Sequence, residues 1–280
     1  MRQLVLERLP SADGTISLDG PAYRYLVNVL RVAPGDHLDV RLPGGGLSVA
    51  TVLLVDRKAR SIQLSCLDIE GNPCYVDPVI GRSMPPLAAP AEGFPKIVLL
   101  QWVLKGPKMD QVVRQATEAG VCAIIPVVGE RSLVKDSRDI GGEKASRWER
   151  IAKEARQQSG SPVGTFLADP VESVSMPKFW DSFLSAQSVD RSKCLSLVLT
   201  EAPLARKTLH EYCDGGPSLT AIAIGPEGGM TSRELELLAV AGFNRLHFNT
   251  NVLRAETAAL YGIAAVQVLL TESEKWQLKE

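Results

Sequence analysis

The spacing of apolar positions changes character near residue 96. Upstream, "DGTISLDG" and "GDHLDVRLPGGGLSVATVLLVDRKARSIQLSCLD" alternate apolar and polar residues or run β-branched, and Pro-Gly and Gly-Gly-Gly interrupt them. That spelling predicts short strands joined by turns. One segment, "GPAYRYLVNVLRV", carries Tyr25, Val29 and Val32 near helical spacing. Residues 1–72 are therefore expected to form a small β-barrel with one short helix. Residues 71–95 hold six prolines and no periodicity, and 73–95 read as a linker.

Downstream the period alternates between strand and helix. "KIVLLQWVL", "VCAIIPVV", "LSLVLTEA" and "LTAIAIGP" are continuous apolar runs of strand length. Such runs suit strands covered on both faces. Between them, "MDQVVRQATEAG" places Val112, Val113 and Ala116 on one side of a helix that Gly120 ends. "EKASRWERIAKEARQQSG" places Trp148, Ile151, Ala152 and Ala155 at i, i+3, i+4 and i+7. Alternation of this kind predicts an α/β domain with a parallel sheet over residues 96–280.

Composition adds limits. The chain has 280 residues, 45% apolar content and a net charge of −1, so no global basic field marks a nucleic-acid binder. Charge is uneven: residues 96–160 carry 12 basic against 8 acidic groups, and residues 161–280 carry 10 against 14. Five cysteines lack CxxC spacing and three histidines lie far apart, so no zinc site or disulfide framework is expected. No stretch reaches about 18 uninterrupted apolar residues. A cytoplasmic protein without metal or membrane partner is the expectation.

Candidate chemistry concentrates in two stretches. In "LTAIAIGPEGGMTSRELELL" a strand ends in Gly-Pro and Thr231 with Glu234 spells a capping box. Leu235, Leu238 and Ala239 form the apolar side of the helix that follows, and Gly242 ends it. The turn thus lies at a strand's C-terminal end, where open α/β sheets bind ligands. Neither phosphate-binding glycine template is present and no lysine follows the turn. Glu227 argues against a phosphate and for a neutral or cationic ligand. It could face such a cation, pair with Arg254, or cap the next helix. The second stretch, "FNTNVLRAETAALYGIAAVQVLL", follows the strand "NRLHF" and opens a helix with Arg254, Glu256 and Thr257.

These two stretches, with "RYLVNVLRVAPGDHLDV", "LKGPKMDQVVRQATEAGVCAIIPVVGERSLVK" and "RWERIAKEARQQSG", resemble in order the ribosomal small-subunit RNA uridine-N3 methyltransferase family of the SPOUT superfamily. The resemblance spans nearly the whole chain. It departs from the family pattern at Gln115, Ser161, Asn249 and Asn251, the first, second and last of which replace basic groups. It implies a C-terminal SPOUT domain whose parallel sheet carries a deep trefoil knot, an N-terminal PUA-like barrel that binds RNA, and a homodimer. It also implies S-adenosylmethionine held by three loops: Leu199, Thr200 and Glu201; Gly225, Pro226, Glu227, Gly228 and Gly229; and Phe248, Asn249, Asn251, Val252 and Leu253, with Thr257 beyond them. A sulfonium cation without phosphate suits a glycine turn that bears a carboxylate.

The implied reaction is methyl transfer to N3 of a uridine in 16S rRNA, within the small ribosomal subunit. Arg254 is the candidate cation for the uracil anion or an RNA anchor, and Glu256 the candidate for orienting it or accepting the N3 proton. Arg24 and Arg31 of the barrel, with Lys105, Lys108, Arg131 and Lys135, are candidate RNA contacts. A knotted methyltransferase for tRNA or a ribose 2′-OH, and a non-catalytic PUA-type RNA-binding protein, are the alternatives. A nicotinamide dehydrogenase lacks its glycine fingerprint here.

Overall fold

The computed structural model describes residues 3–11, 13–42, 47–66, 87, 94–132, 140, 142–202 and 207–273. The chain divides into two compact units, residues 1–81 with 156–162, and residues 82–155 with 163–280.

The first unit contains β1 (Leu4–Val5), β2 (Thr15–Leu18), α1 (Gly20–Arg24), β3 (His37–Arg41), β4 (Leu47–Asp56) and β5 (Ser61–Ser65). They form a five-stranded sheet in the order β1-β3-β4-β5-β2, antiparallel except for the β1–β3 pair. One face is buried, as the alternating spelling requires: Ile16, Val40, Ala50, Val52, Ile62 and Leu64 make its core with Tyr23 and Leu26. The predicted helix is real but breaks its expected period. After α1, residues Tyr25–Val29 form a π-turn, closed by the Leu30 N–H to the Tyr25 carbonyl at 3.0 Å. The wider turn rotates the buried stripe to Tyr23 and Leu26, leaving Val29 57% exposed. Residues 156–162 join this unit because Gln3 ties them in. Its side-chain amide donates to the Arg156 carbonyl at 3.1 Å and its oxygen accepts from Arg41 at 2.9 Å. Burial, helped by the nearby Arg41 charge, lowers the Arg156 guanidinium to about 10.

The second unit contains β6 (Ile97–Trp102), α2 (Pro107–Glu118), β7 (Ala123–Val128), α3 (Glu143–Ser159, its last turn in the first unit), β8 (Phe166–Leu167), β9 (Val171–Glu172), α4 (Met176–Ala186), β10 (Cys194–Leu199), α5 (Leu209–Cys213), β11 (Leu219–Ile224), α6 (Ser232–Val240), β12 (Asn244–Leu246) and α7 (Ala255–Ser273). Its seven strands are all parallel, ordered β12-β10-β11-β6-β7-β8, with β9 also on β7. Every residue of β6, β7 and β11 is buried, because helices cover both sheet faces. Pro126 sits inside β7 without breaking it. β8 pairs with residues 123–124 and β9 with 127–128, so the missing N–H faces the gap between them.

Two helices differ from the sequence reading. Helix α4 was not anticipated, although Met176, Trp180, Phe183 and Leu184 are buried from it. In α6 the inward positions are Glu234 and Leu238, and Ala239 is exposed. Most of the proline-rich 73–95 lies outside the described residues. Leu87 is nonetheless buried in the core, with its N–H donated to Gln187 at 2.6 Å.

Candidate active site

A parallel sheet puts the loop after every strand at one edge. Here β10, β11 and β12 end side by side, and three loops close a cavity of about 690 Å³. Residues 199–202, 224–230 and 246–255 line it, except Asn249, with Lys108, Arg131, Leu235 and Ala258. The loops are tied by backbone: Thr200 N–H donates to the Leu246 carbonyl at 2.9 Å, and the His247 ring contacts the Thr200 carbonyl at 3.1 Å. Gly229, at φ 68°, closes the glycine turn with its N–H to the Pro226 carbonyl at 2.9 Å. Phe248 packs edge-on against Tyr261 of α7, centroids 4.9 Å apart.

Two carboxylates divide the work around the turn. Glu227 does not cap α6. Its Oε1 accepts from Lys108 Nζ at 3.1 Å and from the Lys105 N–H at 3.2 Å. Partial burial opposes its charge, but its own N–H, Lys108 and the Lys105 N–H prevail and hold it below the usual glutamate range. The cap belongs to Thr231 and Glu234, whose side chains exchange bonds with each other's N–H. Glu234, 1% exposed, does more than cap. Its carboxylate also accepts from Trp102 Nε1 at 2.8 Å and the Glu130 N–H at 3.1 Å, joining the ends of β6 and β7 to the start of α6. A Cβ on Gly129 would collide with Trp102 Cδ1 and Glu234 Oε1, so glycine is required there.

The structure brings most of the expected cofactor residues to one cavity: Leu199, Thr200, Glu201, Gly225, Pro226, Glu227, Gly228, Gly229, Phe248, Asn251, Val252 and Leu253 line it. Asn249 and Thr257 are exposed and do not. Arg254 stands at the rim, exposed, and its guanidinium has no hydrogen bond or ion pair among the described residues. Glu256 is buried behind it, and its Oε2 has no hydrogen-bond partner; the nearest cation is Lys108 at 4.0 Å, not Arg254. Arg131 also belongs to the cavity wall and donates to the Gly228 carbonyl at 2.6 Å. Thus Lys108 and Arg131, expected on RNA, engage the glycine turn. Lys105 is exposed, and Lys135 lies outside the described residues. Sequence reasoning missed the Lys108–Glu227 pair because the adjacency of β6 and β11 that makes it is a tertiary fact.

Residues 92–267 match the model of the RNA methyltransferase domain family. The chain belongs to that family. Among curated RNA methyltransferases, a Borreliella burgdorferi protein named ribosomal RNA small subunit methyltransferase E 2 is 27% identical over 97% of this chain and 99% of its own. The Bacillus subtilis ribosomal RNA small subunit methyltransferase E is 28% identical over 90% and 89%. The fold is shared with a Neisseria gonorrhoeae ribosomal RNA small subunit methyltransferase E bound to S-adenosyl methionine, with TM-score 0.69, 24% identity and coverage of 96% and 98%. It is shared too with a Legionella pneumophila protein in complex with the bound cofactor SAM, with TM-score 0.70, 25% identity and coverage of 95% and 96%.

Proposed function

We propose that this RNA methyltransferase transfers a methyl group from S-adenosylmethionine to N3 of a uridine in 16S rRNA. The observation that carries the reading is a backbone-lined cavity with a carboxylate in its glycine turn and a free guanidinium at its rim. A cavity of about 690 Å³ lies within the usual range for small-molecule sites. Leu199, Ile224, Leu246, Phe248 and Leu253 offer apolar surface for an adenine ring. Peptide groups of 199–201, 225–229 and 248–253 would hold the cofactor. When bound, S-adenosylmethionine supplies an activated methyl group on a sulfonium. Glu227 is compensated by Lys108 at 3.1 Å, so the turn would meet the cofactor chiefly with its peptide groups.

Arg254 then has the only substrate-facing charge at the rim that is not engaged within the described residues among the lining cations Lys108, Arg131 and Arg254. It would stabilise negative charge on the uracil oxygens as the N3 proton leaves. Glu256 lacks contact with Arg254, so its role is to position Lys108, and through it Glu227, or to receive a proton at its unpartnered Oε2. A knotted crossing of the three loops, a PUA-like identity for the curled five-stranded sheet of residues 1–72, an RNA role for Arg24, Lys105 and Lys135, and a cytoplasmic setting complete the reading. A homodimer is supported by apolar side chains left exposed before and along α7: Val252, Leu260, Tyr261 and Val268.

Mass spectrometry of 16S rRNA nucleosides from a strain lacking this protein tests the reading. Loss of one N3-methyluridine is expected. An unchanged N3-methyluridine with loss of a 2′-O-methylnucleoside would overturn it.

A further inference from the structure

The cavity begins where β10 and β12 end. Their last paired residues are Leu199 and Leu246, and the next residue of each chain, Thr200 and His247, also lines the cavity. A side chain keeps the two segments joined there. The half-buried His247 ring places Nδ1 3.1 Å from the Thr200 carbonyl oxygen. A carbonyl oxygen only accepts, so Nδ1 carries the hydrogen. In the neutral ring Nε2 then bears a lone pair and no hydrogen. Nε2 has no hydrogen bond among the described residues and is not one of the polar atoms sealed in the core, so it is open toward the cavity that His247 lines.

The other polar side chains of the wall are engaged or exposed. Thr200 spends its hydroxyl hydrogen on the Ala202 carbonyl at 3.2 Å, and Thr250 spends its own on the Asn251 carbonyl at 3.0 Å. Lys108 and Glu227 hold each other, and Arg131 holds the Gly228 carbonyl. Glu201, Asn251 and Arg254 are exposed. His247 therefore offers a neutral side-chain acceptor on the half-buried part of the wall. Its chain neighbours there, Leu246 and Phe248, belong to the apolar surface that suits an adenine ring.

We infer that His247 recognises the adenosyl group of S-adenosylmethionine, an inference that rests on the cofactor reading above. Nε2 accepts a hydrogen bond from the adenine amine or from a ribose hydroxyl, the donors that the adenosyl group carries. An uncharged acceptor meets such a donor without repelling the sulfonium cation. The Thr200 carbonyl fixes the ring in the tautomer that can do this, so the site is preorganised before the cofactor arrives.

Nitrogen NMR of the full chain with labelled histidine tests the geometry at about pH 8, above the usual imidazole range. The His247 signals are assigned by their absence in His247→Asn. Nε2 should be the nitrogen without hydrogen, and its resonance should shift when S-adenosylmethionine saturates the site. Calorimetry tests the energetics. Asn keeps an amide N–H for the Thr200 carbonyl but does not reach the Nε2 position, so His247→Asn should bind S-adenosylmethionine about tenfold more weakly. Cofactor analogues without the amine hydrogens or without one ribose hydroxyl separate the donors. One of them should bind the unaltered chain about tenfold more weakly and lose nothing further with His247→Asn. A hydrogen on Nε2, an Nε2 resonance unmoved at saturation, or equal further losses with His247→Asn for every analogue would overturn the role of His247 alone. No binding of S-adenosylmethionine by the unaltered chain would overturn it together with the cofactor reading.

Discussion

In the proposed reaction Arg254 carries the charge that the uracil anion needs. It is exposed at the rim and free, whereas Lys108 and Arg131 are held by the glycine turn. Arg254→Ala should reduce kcat by about 10²–10³, the scale for losing one preorganised donor to a developing anion, with cofactor affinity nearly intact. Single-turnover rates beside calorimetric titration check this; a collapse in cofactor affinity would move Arg254 into the cofactor wall. Lys108 gives a second prediction. Its ammonium lowers the Glu227 titration, so Lys108→Met should raise that midpoint toward the ordinary 4.5, read by carboxyl-carbon NMR. Gly129 gives a third. Alanine there meets the buried Trp102 and Glu234 side chains and should destabilise the fold by about 1–3 kcal/mol in denaturant titrations.

Among elements, α6 depends on a carboxylate that the sequence shows only as a cap. The Thr231–Glu234 spacing was legible as a capping box, but the bonds from Trp102 and Glu130 were not, because they require β6 and β7 to end beside α6. Burial opposes the charge of Glu234; the bonds from Thr231, Trp102 and Glu130 outweigh it and lower its titration below 4.5. A carboxylate lowered on folding adds stability above its unfolded value and loses it as pH falls through the folded one. Unfolding free energy should therefore hold near neutrality and drop below about pH 4.5. Glu234→Gln turns an amide N–H toward the Thr231 N–H, costs about 1–3 kcal/mol at pH 7, and flattens part of that acid slope. The same limit explains the other misreadings. The continuous apolar spelling of β6, β7, β10 and β11 exposed the parallel sheet, while a π-turn after α1 moved a helical stripe that periodicity alone could not place.

At the scale of the whole molecule, the parallel sheet gathers three loops distant in sequence around one cavity, and α7 begins directly behind them. Phe248, on the cavity wall, packs on Tyr261, which is 43% exposed on α7. A partner chain on that apolar strip would thus press on the cofactor wall. Tyr261→Arg with Val268→Glu should give a monomer in sedimentation velocity and weaken S-adenosylmethionine binding; a monomeric parent chain would contradict the homodimer. The central claim concerns the atom that receives the methyl group. Purified protein, methyl-labelled S-adenosylmethionine and small subunits from a strain lacking this chain, followed by nucleoside mass spectrometry, address it directly. The account predicts label in N3-methyluridine of 16S rRNA, strongly reduced with Arg254→Ala. Label in a 2′-O-methylnucleoside, or none in 16S rRNA, would contradict it.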